Sequence, residues 1–347
     1  MTDNIGIAAD GRHTFAAAGN REDVWHRFGQ YNMDGKSMDE WLDAAGLLWT
    51  AIKSQARLDL DPAQWPHLTE AQRRAVVESR HHIVRSDNGY PLGFGSDQFQ
   101  CVQPRELAEF TERFVAVDDN FAFDVMGALF SGETIWCGAT YRKGLTVAGE
   151  SHRARLLTST AFDGSAATRA QITTTRGVCN NTLNICWGDK RAMIRVRHNT
   201  KFDPAVVAKQ LAQLAQSVTT FKEIGDAMAT VELTREETAR FFKALLKIDP
   251  EAKADDISTR KQNQFADLTA ALDRTTMERN GEAPTVWTAL QSVTRYVDHD
   301  RSTRSGRTND ESESRFASAN FGSGDSLKGE AMQILLPRVK HLVRVAA

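Results

Sequence analysis

The chain has 347 residues, 41% hydrophobic and 25% charged, with a formal net charge of −2. That is the composition of a globular protein long enough to bury a large core, as one big domain or two ordinary ones. It excludes a membrane-spanning helix, since no stretch approaches the roughly 20 apolar residues needed. It also argues against wholesale coating of nucleic acid. The N-terminus shows no apolar core of a secretory signal, so the expected compartment is the cytoplasm.

Taken in chain order, the first 60 residues open loosely and then turn helical. "SMDEWLDAAGLLW" starts with Ser37 and places Glu40 three residues later, a capping box. "LTEAQRRAVVESRHH" (68–82) reads as a second helix with Thr69 as N-cap. Its last residues, His81 and His82, would then complement the negative end of the helix. In "YPLGFGSDQFQCVQP" (90–104) two apolar stretches flank "GFGSD", which reads as a hairpin turn. Pro104 then opens the helix "PRELAEFTERFVAV".

Residues 121 to 200 are rich in strands. "FAFDVMGALFSGETIWCGATYRK" gives two, joined at "SGE". "RARLLTSTAFDGSAATRAQITTTR" gives two more, joined at an Asp-Gly turn. "RAMIRVRHN" adds a fifth, with Arg191, Arg195 and Arg197 on one face and Ile194 and Val196 facing the core. From Pro204 the chain is helical. "LTREETARFFKALLKI" carries a Thr234/Glu237 capping box, 285–299 is a further helix, 300–315 reads as a mobile loop, and "GSGDSLKGEAMQILLPRV" is a glycine turn into a last helix. The order of that last segment is not GxxxxGK[ST], so a nucleotide-binding loop is not expected there.

The predicted fold class is therefore α+β. A central, mostly antiparallel sheet of β-hairpins is packed by helices and followed by a helical C-terminal part. Three segments are expected: 1–88 helical or irregular, 89–202 basic and β-rich, and 203–347 helical and packed on that core.

The charge is unevenly distributed. Between Arg142 and Lys201 eleven basic residues face only Glu150, Asp163 and Asp189. Local positive charge on an otherwise acidic chain is the footprint of a polyanion site. A solvated strand face with acidic partners elsewhere accounts for the same pattern. The four cysteines, Cys101, Cys137, Cys179 and Cys186, show no CxxC spacing and read as buried reduced thiols. No zinc site is expected. Asp298 and Asp300 could hold a metal, but a helix end running into a polar loop explains them as well. No hydrolase or kinase signature is present.

Several blocks carry a family likeness. "VWHRFGQ", "AAGLLW", "GFGSDQFQCVQPREL", "FDGSAATRAQITTTRGVCNNTLN", "IRVRHN", "VWTALQSVTRYVDH" and "GSGDSLKGEAMQIL" together resemble the phage/plasmid-like protein family, the domain of unknown function nine-three-two. The match spans nearly the whole chain. Phe162 stands where a histidine often precedes the Asp-Gly-Ser turn, and Gly177 replaces one valine of the cysteine-containing string. The family implies a mobile-element origin. By fold-level analogy it suggests a strand-annealing recombinase, a weak warrant taken alone.

The expected function is binding or annealing of single-stranded DNA or RNA on a basic sheet, without cofactor or metal, in a homo-oligomer. Arg153, Arg155, Arg169, Arg176, Lys190, Arg191, Arg195, Arg197 and His198 would contact the strand. Asn180 and Asn181, opening a helix, would offer backbone amides to a phosphate. Two alternatives stay open. One is a structural or host-interaction protein of a mobile element. The other is a nucleic-acid-directed enzyme using Asp163, Arg176, Cys179 and His198. Arg176 is the residue that capping does not explain: it faces either a phosphate or a buried carboxylate of its own chain.

Overall fold

The computed structural model describes residues 12–19, 29–176, 182–184, 193–200, 204–279, 281, 283–302 and 311–343. The architecture is α+β. A large antiparallel sheet is built from β1 (Phe15–Ala17), β5 (Phe121–Leu129), β6 (Thr134–Tyr141), β7 (Leu145–Val147), β8 (Glu150–Ala161), β9 (Thr168–Arg176), β10 (Thr182–Asn184) and β11 (Met193–Val196). Its order is β1-β5-β6-β8-β9-β10, with β7 also on β8 and β11 also on β9. A smaller sheet holds β2 (Ala51–Arg57), β3 (Val76–Arg85) and β4 (Pro91–Ser96) in that order.

The hairpins form where the sequence places them. β5 and β6 meet through a short turn at Phe130–Gly132, and β8 and β9 through the Asp-Gly turn, where Asp163 accepts from the Ser165 N–H at 3.0 Å. The helices are α1 (Met38–Ala44), α2 (Glu70–Arg73), α3 (Pro104–Val117), α4 (Pro204–Thr230), α5 (Arg235–Leu245), α6 (Thr259–Glu278), α7 (Val286–Arg295), α8 (Glu311–Phe321) and α9 (Ser323–Leu335). Both capping boxes, at Ser37 and Thr234, are formed. There the amides of Ser37 and Thr234 hold the carboxyls of Glu40 and Glu237 down at about 2.

Because side chains alternate across a strand, directly paired residues share a face. One face of the sheet carries Ala154, Leu156, Ala170 and Ile172, packed with Phe221 of α4 and Trp287 of α7 in the largest core. Towards β5 the same face carries Met126, Ile135 and Cys137, packed with Trp41 of α1 and Leu107 of α3. The opposite face is covered more thinly. Leu157, Val125 and Trp136 pack there with Phe15, and Phe316 of α8 lies 5.3 Å from the Trp136 ring.

Three sequence expectations are corrected. The helix expected over 68–82 is only the single turn of α2, capped by Thr69 and Gln72. From Val76 the chain is β3, hydrogen-bonded on both sides by β2 and β4. Valines 76 and 77 and the Ile83-Val84 pair suit a pleated surface, and two-sided pairing overrides the helical pattern. His81 and His82 therefore lie on a strand. "GFG" is not a turn but the middle of β4. A Cβ at Gly93 would lie 2.5 Å from the Asp163 Cα, and one at Gly95 would lie 2.8 Å from the Phe99 Cβ. These glycines admit close packing rather than reversal of the chain. Finally, the loop expected over 300–315 ends inside α8, which begins at Glu311; residues 303–310 lie outside the described residues.

Among the described residues no helix is long and apolar enough to cross a membrane. One prediction follows from β4. Gly93→Ala drives a methyl into the backbone of the β8–β9 turn, and the expected loss is about 1–3 kcal/mol of unfolding free energy, read by chemical denaturation.

Candidate nucleic-acid interface

The β8–β9 pairing sorts the arginines. Arg153 pairs with Thr175, Arg155 with Thr173 and Ser159 with Arg169; on the adjoining strand Arg195 pairs with Arg169. These four arginines share the thinly covered face. Arg176 pairs with His152 instead, which places it on the helix-packed face.

Arg176 is 1% exposed. Its Nε and Nη2 donate to the two carboxylate oxygens of Glu150 at 2.7 and 2.6 Å, and its Nη1 donates to Glu278 at 3.1 Å. Arg279 adds a 3.1 Å bond to Glu150, and Arg295 a 2.5 Å bond to Glu278. Five charged groups thus join the end of the sheet to the C-terminal ends of α6 and α7. A bidentate pair of this kind has no room for a phosphate. Of the two partners expected for Arg176, the structure places carboxylates of the chain itself.

Arg155 is also enclosed, at 2% exposed, and donates from Nε and Nη2 to Asp124 of β5 at 3.1 and 2.7 Å. It shares a face with Arg153 and Arg169 but is enclosed between strands. The remaining arginines differ. Arg169 is half-buried; it donates to the Phe321 carbonyl at 3.1 Å and lies 5.7 Å from that ring's centroid. Arg153, Arg195 and Arg197 are exposed. Arg195 and Arg197 make no ion pair among the described residues. Arg195 sits directly opposite Arg169 across the strand pair, and like charges in that position repel.

His198 is pinned. Its Nε2 donates to the Ala166 carbonyl at 2.8 Å, and its ring stacks on Phe99 at 4.3 Å. Asn180, Asn181, Lys190 and Arg191 lie outside the described residues, as do Cys179 and Cys186. Asp163 and His198, two members of the enzymatic alternative, are engaged respectively in the β8–β9 turn and in holding the end of β11. Burial pushes the Cys101 and Cys137 thiols up, which suits packed, unreactive groups. Asp298 bonds Lys328 at 3.0 Å, and Asp300 bonds Arg274 at 2.6 Å, so each carboxylate of "DHD" holds a cation of the chain.

The sequence reading missed three things here. The acids Asp124 and Glu278 lie outside the segment whose charge was counted, so spacing gave no hint of them. His152, 5% exposed, has both ring nitrogens without a hydrogen-bond partner among the described residues and packs against Phe221 and Trp287. Desolvation, then Arg176, holds its imidazole down at about 4 against an opposing pull from Glu150. The third is the small sheet, where Phe94 is 58% exposed and its ring lies 4.1 Å from that of His82.

Two predictions arise. Arg176→Ala removes the bidentate partner of Glu150 and one of the two cations on Glu278, leaving Arg279 and Arg295 to hold them, and should cost about 3–5 kcal/mol in denaturant unfolding. The His152 imidazole titrates at about 4 in the folded chain against 6.5 as its ordinary value. Its contribution to stability is therefore complete above pH 6.5 and is lost as the pH falls toward 4, by about 3 kcal/mol in all. His152→Leu should flatten the unfolding free energy over that window relative to the wild type.

The chain matches no curated protein and no solved structure. A family model described as a domain of unknown function, DUF932, matches residues 91–320, from β4 to the end of α8 and so across the whole arginine-bearing part of the sheet. The protein belongs to the DUF932 family.

Proposed function

We propose that the protein binds single-stranded nucleic acid, DNA or RNA, along the thinly covered face of β8, β9 and β11. The observation that carries this reading is the Arg169–Arg195 pair. The two residues are directly paired on adjoining strands, and Arg195 has no carboxylate partner among the described residues. Like charges directly opposite one another cost stability, and a phosphate between them reverses the sign of that term. Arg197 lies two residues beyond Arg195, and Arg153 stands towards the other end of the β8–β9 pair, opposite Thr175. Arg155 and Arg176 take no part in contacting the strand, because their charges are already neutralised inside the fold.

Strand binding also needs surfaces on which bases stack. Phe94, with His82 against it and Arg80 exposed two residues before that histidine, offers one on the small sheet. No cofactor is needed for such binding. Annealing of complementary strands by an oligomer is the finer form of the same reading, and pairing of two labelled complementary oligonucleotides is its readout.

Fluorescence anisotropy with a labelled single-stranded oligonucleotide tests the reading. The wild type should bind with an affinity that falls as salt rises. Arg195→Ala should lower the slope of log affinity against log salt by about 0.7, one phosphate contact on a single strand. Arg153→Glu/Arg195→Glu should abolish measurable binding while the protein remains folded. Binding without salt dependence, or unaffected by both variants, would sink the proposal.

A further inference from the structure

α8 is joined to α9 by a single residue, Gly322, and lies across the thinly covered face of the sheet. Its seat is built from contacts along its length. Near its start the Phe130 N–H donates to the Glu313 carboxylate at 2.6 Å, and Arg315 Nη1 donates to the His299 carbonyl at 3.0 Å. In its middle the Phe316 ring lies 5.3 Å from that of Trp136. At its end Gln171 Nε2 donates to the Asn320 carbonyl at 3.2 Å, and Arg169 Nη2 donates to the Phe321 carbonyl at 3.1 Å. The last carbonyls of a helix have no partner within it, and here side chains of β9 supply one.

Both ends of that seat carry a cost. Phe130 and Ser131 hold φ angles of +51° and +58°, the left-handed region that residues other than glycine rarely adopt. Glu313 thus fastens α8 to a strained turn. At the other end Gln171 is fully buried, and its Oε1 has no hydrogen-bond partner among the described residues. A buried acceptor left unpaired is destabilising, and access to water relieves it. Between the ends the packing is incomplete. Ser314, Ala317, Ser318 and Phe321 form a stripe at helical spacing, and that stripe lines a half-open cavity of about 400 Å³ with Thr134 and Ser159 across from it. Core interfaces are close-packed, whereas a helix over a void gives up little apolar contact when it lifts.

We infer that α8 is a displaceable cover of the strand-binding face, seated in the free protein and swung aside about Gly322 when a single strand binds. This rests on the strand-binding reading above. The end of α8 presents to Arg169 the kind of group a phosphate presents, an oxygen acceptor at the negative end of a helix dipole. A carbonyl carries only partial charge, and a phosphate makes the stronger, charge-assisted bond to a guanidinium. The strand therefore takes Nη2 of Arg169 from the Phe321 carbonyl. The Phe321 ring, whose centroid lies 5.7 Å from that guanidinium, leaves with the helix. α9 stays in place, because Lys328 is buried against Asp298 at 3.0 Å and Met332 and Leu335 sit in the largest core. Apparent affinity is scaled by the fraction of molecules in which the cover is open, so the seat of α8 sets how readily the face accepts a strand.

Hydrogen–deuterium exchange on the full chain tests this, together with fluorescence anisotropy on a labelled single-stranded oligonucleotide. In the free protein the amides of residues 311–321 should exchange faster than those of α7 and α9. Saturating oligonucleotide should speed exchange in 311–321 and slow it in β8 and β9. Phe316→Ala and Glu313→Ala loosen the seat at separate points, and each should raise oligonucleotide affinity by roughly tenfold. If the strand binds and protects β8 and β9 while 311–321 is unchanged or slowed, α8 is no cover and the strand-binding reading stands. Exchange of 311–321 only through global unfolding of the free protein also overturns the cover, whatever the strand does. If neither the wild type nor the variants bind the oligonucleotide, the strand-binding reading falls and the cover with it. Should a variant fail to fold, the exchange of the wild type with and without the oligonucleotide decides the matter.

Discussion

The antiparallel register between β8 and β9 decides the role of almost every charged residue in the centre of the chain. With His152 opposite Arg176, that pair faces the helices; with Ser159 opposite Arg169, that pair faces the other way. A slip of one residue would exchange the two sets. It would put Arg153 and Arg155 of β8 under α4 and α7 and would expose Leu156. The register is held by the apolar residues of the helix-packed face and by the ion network at its end, so the fold and the charge of the open face are set by the same pairing.

Burial then separates two uses of arginine. Arg176 and Arg155 are held by Glu150, Glu278 and Asp124, and their guanidinium geometry matches carboxylates at two points each. Buried pairs of this kind contribute little net stability compared with apolar packing, but losing one partner is costly. Their effect is to fix where α6, α7 and β5 sit on the sheet. Arg195, Arg197 and Arg153 remain at the surface, where a flexible cation costs little and a polyanion can approach. Arg169 stands between the two groups, half-buried, donating to the Phe321 carbonyl and lying near that residue's ring.

Much of this was legible in the sequence. The two hairpins, the alternating face of β11, the proline-led α3 and both capping boxes follow from local patterns and were found. The α+β class and the family follow from the same blocks. What was not legible depended on partners distant in sequence. Counting charge over residues 142–201 leaves Arg155 among the cations of the strand face, because its partner Asp124 lies outside that window; for Arg176 the count includes Glu150 but not Glu278, and spacing alone does not choose between a phosphate and a carboxylate. "GFGSD" carries the composition of a turn, yet Gly93 and Gly95 are small because the β8–β9 turn and Phe99 press against β4. The segment 68–82 has a true N-cap at Thr69, but one turn later pairing with two strands wins. α6 falls inside the part expected to be helical from Pro204 onwards, but its bounds are not legible, because polar surface residues interrupt the stripe of Leu268, Ala271, Leu272 and Thr275.

The central claim is that the open face of β8, β9 and β11 contacts a nucleic-acid strand. Photo-crosslinking of a thiouridine- or thiothymidine-containing single strand to the full chain, mapped by mass spectrometry, tests it most directly. Crosslinked peptides should come from residues 150–161, 168–176 and 193–198, and should vanish as salt is raised. Crosslinks confined to α5, α6 or the outer surface of α9, or an absence of crosslinks at low salt, would contradict it.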